Sequence, residues 1–150
     1  QGKHSVLQRE LTFSIDNTLK LAKVARAFPE LRCTFGGRSI VPDIAIFLAN
    51  RIPRDETGEI ANVFALAPDW MIEILSPEQN QTKVIDKILY ALDYGCQMGW
   101  FLDPSEQLVI TYPTDSRSRS FYQSNELLPV PEWAQTYQLT VGQLFGWLLD

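Results

Sequence analysis

The sequence has few of the residues that build disulfide frameworks or zinc sites, with two cysteines and one histidine among 150 residues. Cys33 and Cys96 lie far apart and form no CxxC pair, so two reduced structural thiols are expected. No apolar run approaches the roughly 18 residues that a membrane span requires. A signal-peptide pattern is also missing, which leads us to expect a cytoplasmic protein without a membrane partner.

The length and composition are typical of one globular domain. The chain of 150 residues is 45% hydrophobic and 21% charged, which argues against a disordered chain. We therefore expect a single domain over residues 1–150. Because the chain begins with Gln1 rather than methionine, we also expect some natural N-terminal sequence to be missing.

Acidic residues outnumber basic ones, and the net charge of −5 argues weakly against a nucleic-acid-binding protein, because basic surface usually drives phosphate binding. Their distribution is uneven. Residues 1–54 carry nine Lys/Arg against four acids, a balance of +5, and the remaining 96 residues carry four against fourteen, a balance of −10. This asymmetry fits either one basic face or a mixed, solvated surface, and charge alone does not choose between them.

The spacing of apolar residues predicts a domain of the α/β (α+β) class with a mixed central sheet. Apolar residues at helical spacing predict a helix over residues 5–27. A cap at Ser76 predicts a second helix to about Tyr94, and a capping box of Thr140 and Gln143 predicts a third at the C-terminus. Strands are predicted at residues 31–35, 40–48, 70–75, 99–102, 108–112 and near 120–123.

Two carboxylates, Asp43 and Glu73, fall within predicted strands whose other residues are apolar. A buried ionised carboxylate costs several kcal/mol unless it is paired or binds a metal. If the two strands are neighbours, the two carboxylates can converge on one divalent cation. The alternatives are that both face solvent, or that they pair with arginines such as Arg38.

Lys83 and Lys87 in the second predicted helix are four residues apart and share one helical face. That face lies within reach of the C-terminal end of the strand that carries Glu73. A lysine beside two carboxylates and a metal could orient or deprotonate a water molecule. The alternative is that both are ordinary surface lysines.

The segments VPDIAIF, APDWMIEILSPEQ, MGWFLDPSEQLVITY and LTVGQLFGWL occur in an order that resembles the PD-(D/E)XK nuclease superfamily. The resemblance is narrower still to its bacterial restriction-endonuclease-like branch, the Uma family, and covers about residues 1–146. It implies a restriction-endonuclease-like fold, with a mixed sheet flanked by helices and the site at one edge. Asp43 matches the aspartate of the superfamily motif, and Glu73 matches its second acid.

The resemblance implies a metal-dependent endonuclease acting on nucleic acid, most simply DNA, with Mg²⁺ or Mn²⁺ held by Asp43, Glu73 and the main-chain carbonyl of Ile74. The lysine expected two places after the second acid is replaced by Leu75. The resemblance therefore assigns the catalytic lysine to the following helix, as Lys87 or, second, Lys83.

Further members of the superfamily add a glutamate from the first helix, a place that only Glu10 could take here, unless it is a solvated helix residue. His4 lies close by and is a candidate for supporting a ligand or contacting substrate, or is disordered near the terminus.

Homodimers are common among restriction-type nucleases, and apolar residues cluster near the C-terminus, so a homodimer is also expected. The departure at Leu75 and the acidic total charge favour an alternative function, a nuclease-fold protein that binds nucleic acid or a protein partner without cleaving. A purely structural domain is the remaining alternative.

Overall fold

The computed structural model describes residues 1–150, and a six-stranded mixed sheet forms its centre. The strands of the chain are β1 Ala25–Pro29, β2 Cys33–Phe35, β3 Arg38–Ile40, β4 Ile44–Leu48, β5 Trp70–Ile74, β6 Met98–Asp103, β7 Leu108–Pro113 and β8 Arg119–Phe121. The strands of the central sheet lie in the order β1-β4-β5-β6-β7-β8, and only β5 and β6 are parallel. The remaining two strands, β2 and β3, form a separate hairpin.

Three α-helices flank the sheet: α1 Gly2–Leu19, α2 Gln81–Leu92 and α3 Val141–Gly146. Short 3-10 helices occupy Ala49–Arg51, Glu132–Ala134 and Trp147–Leu149. The predicted mixed sheet flanked by helices is confirmed. The capping box of Thr140 and Gln143 is also confirmed, since both of its hydrogen bonds are present. No helix of the structure is both long and apolar enough to span a membrane.

The sheet separates two apolar cores. On one face, α1 and α3 pack against the isoleucines of β4 and β5. Four residues of α1 at every fourth position are completely buried there: Leu7, Leu11, Ile15 and Leu19. On the other face, α2 and the β2–β3 hairpin cover the alternate residues of the same strands, including Phe47 and Met71. This alternation decides which strand residues can meet α2.

The first helix is shorter than the predicted helix over residues 5–27. It ends at Leu19, whose carbonyl accepts a hydrogen bond of 2.9 Å from the N–H of Val24. Lys23 adopts a positive φ of 60° between them, which is the geometry of a Schellman cap. The prediction was wrong beyond this cap, because residues 25–29 form the edge strand β1 and pair with β4.

The predicted strand over residues 40–48 is also divided. Ile40 ends β3 in the small hairpin, and Ile44 begins β4 in the large sheet. Asp43 therefore lies in the bend immediately before β4 rather than inside a strand. Pro42 precedes it and has no N–H for a sheet hydrogen bond, consistent with a break at this point.

The second helix begins later than predicted. Asn80 is its N-cap, and the Asn80 side chain accepts hydrogen bonds from the N–H groups of Thr82 and Lys83. Ser76 instead forms a separate turn with Gln79, whose side-chain oxygen accepts from the Ser76 N–H at 2.9 Å. This turn connects the end of β5 to α2 and sets the position of the helix over the sheet.

Candidate active site

Glu73 is a buried carboxylate on the α2 face of the central strand β5. Ile72 and Ile74 face the α1 side, whereas Met71 lies in the core on the α2 side, so alternation turns Glu73 toward α2. The side chain of Glu73 is only 1% exposed. A carboxylate at this depth requires partners, because its solvation by water has been lost.

Asp43 supplies one of these partners through the main chain. The antiparallel register pairs Ile44 with Ile72 and so brings Asp43 opposite Glu73. The Asp43 N–H donates to Glu73 Oε2 at 2.9 Å. In return, the N–H of Ile74 donates to Asp43 Oδ2 at 2.7 Å. These reciprocal bonds hold both carboxylates at the same end of the β4–β5 pair.

The second oxygen of each carboxylate meets a side chain from a helix. Lys87 Nζ lies 2.6 Å from Glu73 Oε1, and His4 Nε2 lies 3.0 Å from Asp43 Oδ1. Gln8, one turn after His4 on α1, donates from Nε2 to the Asp43 carbonyl oxygen at 2.9 Å. Helices from both faces of the sheet thus contribute to one site.

The pKa of Glu73 is raised to about 7. Burial is the largest cause, and the neighbouring negative charge of Asp43 adds to it, whereas Lys87 and the Asp43 N–H lower it. Lys87 therefore compensates only part of the cost of ionising Glu73. A divalent cation near both carboxylates would favour the ionised form and offset their repulsion.

The donor atoms suit a hard cation. Carboxylate and main-chain oxygens are the ligands that Mg²⁺ prefers, and Mg²⁺ usually keeps several of its waters. The structure contains no group of three or more His, Cys, Asp or Glu side chains arranged to hold a metal. An ion here would therefore rely on Asp43, Glu73, a main-chain oxygen and water. The structure shows the Ile74 N–H bonded to Asp43, and a role for the Ile74 carbonyl stays a prediction.

Two other predicted residues are not joined to the carboxylates. Lys83 is exposed, forms no ion pair, and lines a concave surface together with Lys87. The Glu10 side chain makes no hydrogen bond or ion pair. Glu10 follows His4 by six residues in α1, so it lies about 120° around the helix from His4. Arg38 pairs with Asp86 at 3.3 Å rather than with the two carboxylates.

Sequence reasoning missed Gln8 and left His4 undecided. The available signal was their spacing, since residues four apart share a helical face. The two polar residues lie beside the buried stripe of Leu7 and Leu11, and both are half-buried. A half-buried polar pair beside an apolar stripe indicates a contact with polar groups at the edge of the core.

The fold and site together define a nuclease-like α/β protein with paired carboxylates and a lysine at one end of the central sheet. The chain belongs to the Uma2 family, described as "Putative restriction endonuclease", whose model matches residues 1–142.

The chain is also similar to the crystal structure of "a putative nuclease belonging to DUF820" from Anabaena variabilis ATCC 29413. The two share 52% identity and a TM-score of 0.97 over 99% of this chain and 83% of that chain. The sequence matches no curated protein. Both descriptions support a nuclease, and hence a hydrolase, as the class of this protein.

Proposed function

We propose that this protein is a Mg²⁺- or Mn²⁺-dependent endonuclease that hydrolyses phosphodiester bonds in DNA. The observation that carries the proposal is the arrangement of the half-buried Asp43 and the buried Glu73, linked by main-chain hydrogen bonds, with Lys87 Nζ 2.6 Å from Glu73. Two adjacent carboxylates are costly to remove from water unless a nearby cation offsets their desolvation and mutual repulsion. The family and the similar structure support the nuclease class in which this chemistry would operate.

Asp43 and Glu73, with the main-chain carbonyl of Ile74, are the groups that would hold the ion. A bound divalent ion lowers the pKa of its water and stabilises charge on phosphate oxygens. His4 and Gln8 fix Asp43 from the α1 side, so its carboxylate is oriented before any ligand arrives. Preorganised ligands of this kind lose little freedom on binding.

Lys87 replaces the lysine that the superfamily motif places at position 75, where this chain has leucine. Its side chain reaches Glu73 from α2 and is 25% exposed, so its amine adjoins both the buried carboxylate and solvent. As an ammonium, Lys87 would donate hydrogen bonds to the attacking water or to a phosphate oxygen and so orient them. This position answers the main objection to activity, the missing lysine of the motif.

Cleavage of plasmid and of linear DNA in Mg²⁺, Mn²⁺ or EDTA tests the proposal. We expect the parent protein to cleave DNA only when Mg²⁺ or Mn²⁺ is present, and Asp43→Asn to abolish cleavage. Asp115→Asn is the control: it removes an exposed aspartate before β8 and should cleave like the parent. If the parent protein binds DNA but cleaves it with neither Mg²⁺ nor Mn²⁺, the proposed nuclease activity is rejected and the non-cleaving alternative remains.

A homodimer and a cytoplasmic location stay predictions. The apolar C-terminal residues that motivated the dimer are largely accommodated within the chain: Leu144 and Phe145 are buried, and Trp147 and Leu148 pack against the same core. Leu149 alone among them is exposed, at 90%. Light scattering at micromolar concentration tests the dimer, and a monomer mass would count against it.

A further inference from the structure

A concave surface lies directly beside Lys87, on the α2 side of the candidate active site. It encloses about 510 Å³ and is formed by the start of α2 and the β2–β3 hairpin. Its lining residues are Arg38, Gln79, Asn80, Lys83, Val84, Asp86 and Lys87. We call this surface the α2 groove. Lys87 both lines the α2 groove and contacts Glu73, so a ligand in the groove would lie next to the candidate active site.

The α2 groove is positively charged, although the chain as a whole is acidic. Arg38, Lys83 and Lys87 line it against one acid, Asp86. A second concavity of about 510 Å³ opens near His4 on the other side of the site, and there Lys3 faces the acids Asp103 and Glu106. A polyanion approaching the carboxylates is thus attracted more strongly from the α2 groove than from the concavity near His4.

Arg38 is held in place at the edge of the α2 groove. Its guanidinium lies over the Tyr90 ring, 4.8 Å from the centroid, and Nη1 lies 3.3 Å from Asp86 Oδ2. The side chain remains 44% exposed. An arginine has five N–H donors, so contacts with one ring and one carboxylate oxygen leave donors for a phosphate.

The β2–β3 hairpin is built to lie against α2. Gly36 and Gly37 form its turn with φ of 61° and 81°, values that glycine adopts readily. A Cβ at Gly36 would collide with the Tyr94 ring, and the Tyr90 hydroxyl donates to the Phe35 carbonyl. These contacts bring the first residue of β3, Arg38, to α2.

Lys83 extends the positive surface away from the site. It lies one helical turn before Lys87, about 6 Å along the axis of α2. It is exposed and forms no ion pair, so its ammonium is available to a ligand. The first turn of α2 also carries the positive end of the helix dipole, which adds to the attraction for phosphate.

We propose that the α2 groove binds the sugar-phosphate backbone of the DNA strand that flanks the cleaved bond, with Arg38 and Lys83 as its phosphate contacts. This inference rests on the proposed function, because it takes the carboxylate site as the place of cleavage. The strand would then enter the site from the α2 side.

The test measures DNA binding separately from cleavage. Fluorescence anisotropy with labelled single- and double-stranded DNA in EDTA gives the Kd of the parent, of Arg38→Ala/Lys83→Ala, and of the control Lys20→Ala/Arg117→Ala. The control removes the same charge from positions outside the groove. Two lost phosphate contacts should weaken binding roughly 60-fold at 0.1 M salt and reduce the slope of log K against log salt by about 1.8. The control should retain most of the affinity and the slope.

Two further variants separate geometry from charge. Tyr90→Leu keeps both cations but removes the ring beneath Arg38, and Arg38→Lys keeps the charge without the planar fork. Both should weaken binding less than the double variant does. Their melting temperatures show whether the hairpin still packs on α2, so that a folding defect is recognised as such.

The outcomes distinguish this inference from the proposed function. Three results would overturn the inference even if the protein cleaves DNA. They are unchanged DNA binding by Arg38→Ala/Lys83→Ala, an equal loss of affinity in the control variant, and no DNA binding by the parent. Tighter binding of the same sequence as RNA would overturn the assignment to DNA. If the protein binds DNA through Arg38 and Lys83 but does not cleave it, the α2 groove stands as a DNA-binding surface and the proposed nuclease activity is overturned.

Discussion

Replacement of Glu73 by glutamine should make the metal-free protein more stable at neutral pH. In the folded protein the pKa of Glu73 is about 7, against an ordinary value of 4.5, mainly because the carboxyl is buried and secondly because Asp43 is close. Between these two values the folded protein keeps a proton that the unfolded chain releases. The contribution of Glu73 to stability is therefore greatest below pH 4.5 and is lost as the pH rises to about 7.

The magnitude follows from the size of the pKa shift. A difference of about 2.5 pKa units corresponds to about 3 kcal/mol of unfolding free energy, at 1.36 kcal/mol per unit. For a chain of this length, that is about 6–12 °C in Tm. Glu73→Gln does not titrate, so its advantage over the parent should be small near pH 4.5 and approach this value at pH 8.

Thermal melts in EDTA across pH 4.5 to 8 measure this difference. Titrating groups away from the site are common to both proteins and cancel in the comparison. Glu56→Gln, in an exposed loop, is the matched control and should follow the parent at every pH. Parallel curves of Tm against pH for the parent and Glu73→Gln would refute the argument, because they would show that burial and Asp43 do not raise the pKa of Glu73.

Three further predictions concern the same site. Millimolar Mn²⁺ or Mg²⁺ should stabilise the parent by RT ln(1 + [L]/Kd), about 2.7 kcal/mol at a hundred times Kd, and Asp43→Asn should abolish the shift in thermal melts. Lys87→Met should lower kcat about 100-fold or more at saturating DNA, whereas Lys83→Ala should mainly raise KM; equal effects on kcat would contradict the assignment. His4→Ala should weaken metal affinity about 10- to 100-fold by calorimetry, because it removes the group that holds Asp43 Oδ1, and His4→Gln should recover part of the loss.

The sequence predicted the fold class, because this depends on apolar spacing and chain order. It also singled out two carboxylates that could converge if their strands were neighbours, and the register of β4 with β5 meets that condition. It did not predict where α1 ends. The cap at Lys23 lacks the glycine that usually marks such a position, and residues 25–27 are helix formers by composition. They become strand β1 because pairing with β4 and a hydrogen bond from the Ala27 N–H to Asp16 outweigh that local preference.

The candidate site was predictable only in part for a similar reason. Asp43 and Glu73 stand out because polar residues interrupt apolar strands, a property of the local sequence. Lys83 and Lys87 share one face of α2, so the choice of Lys87 over Lys83 depends on which turn of the helix lies over the end of β5, and the local sequence does not show this. His4 and Gln8 reach the site from the opposite face of the sheet, and their spacing indicates a shared helical face but not the partner that lies 35 residues after Gln8 in the sequence.

The central claim is that Asp43 and Glu73 jointly hold a divalent ion beside Lys87, and anomalous diffraction from crystals grown with Mn²⁺ tests it most directly. We predict one or two Mn²⁺ peaks coordinated by oxygens of both carboxylates, with Mn–O distances of about 2.0–2.2 Å and with Lys87 Nζ still next to Glu73. The peaks should be absent in Asp43→Asn crystals grown identically. A Mn²⁺ peak elsewhere, or none at these carboxylates when DNA is also bound, would contradict the account.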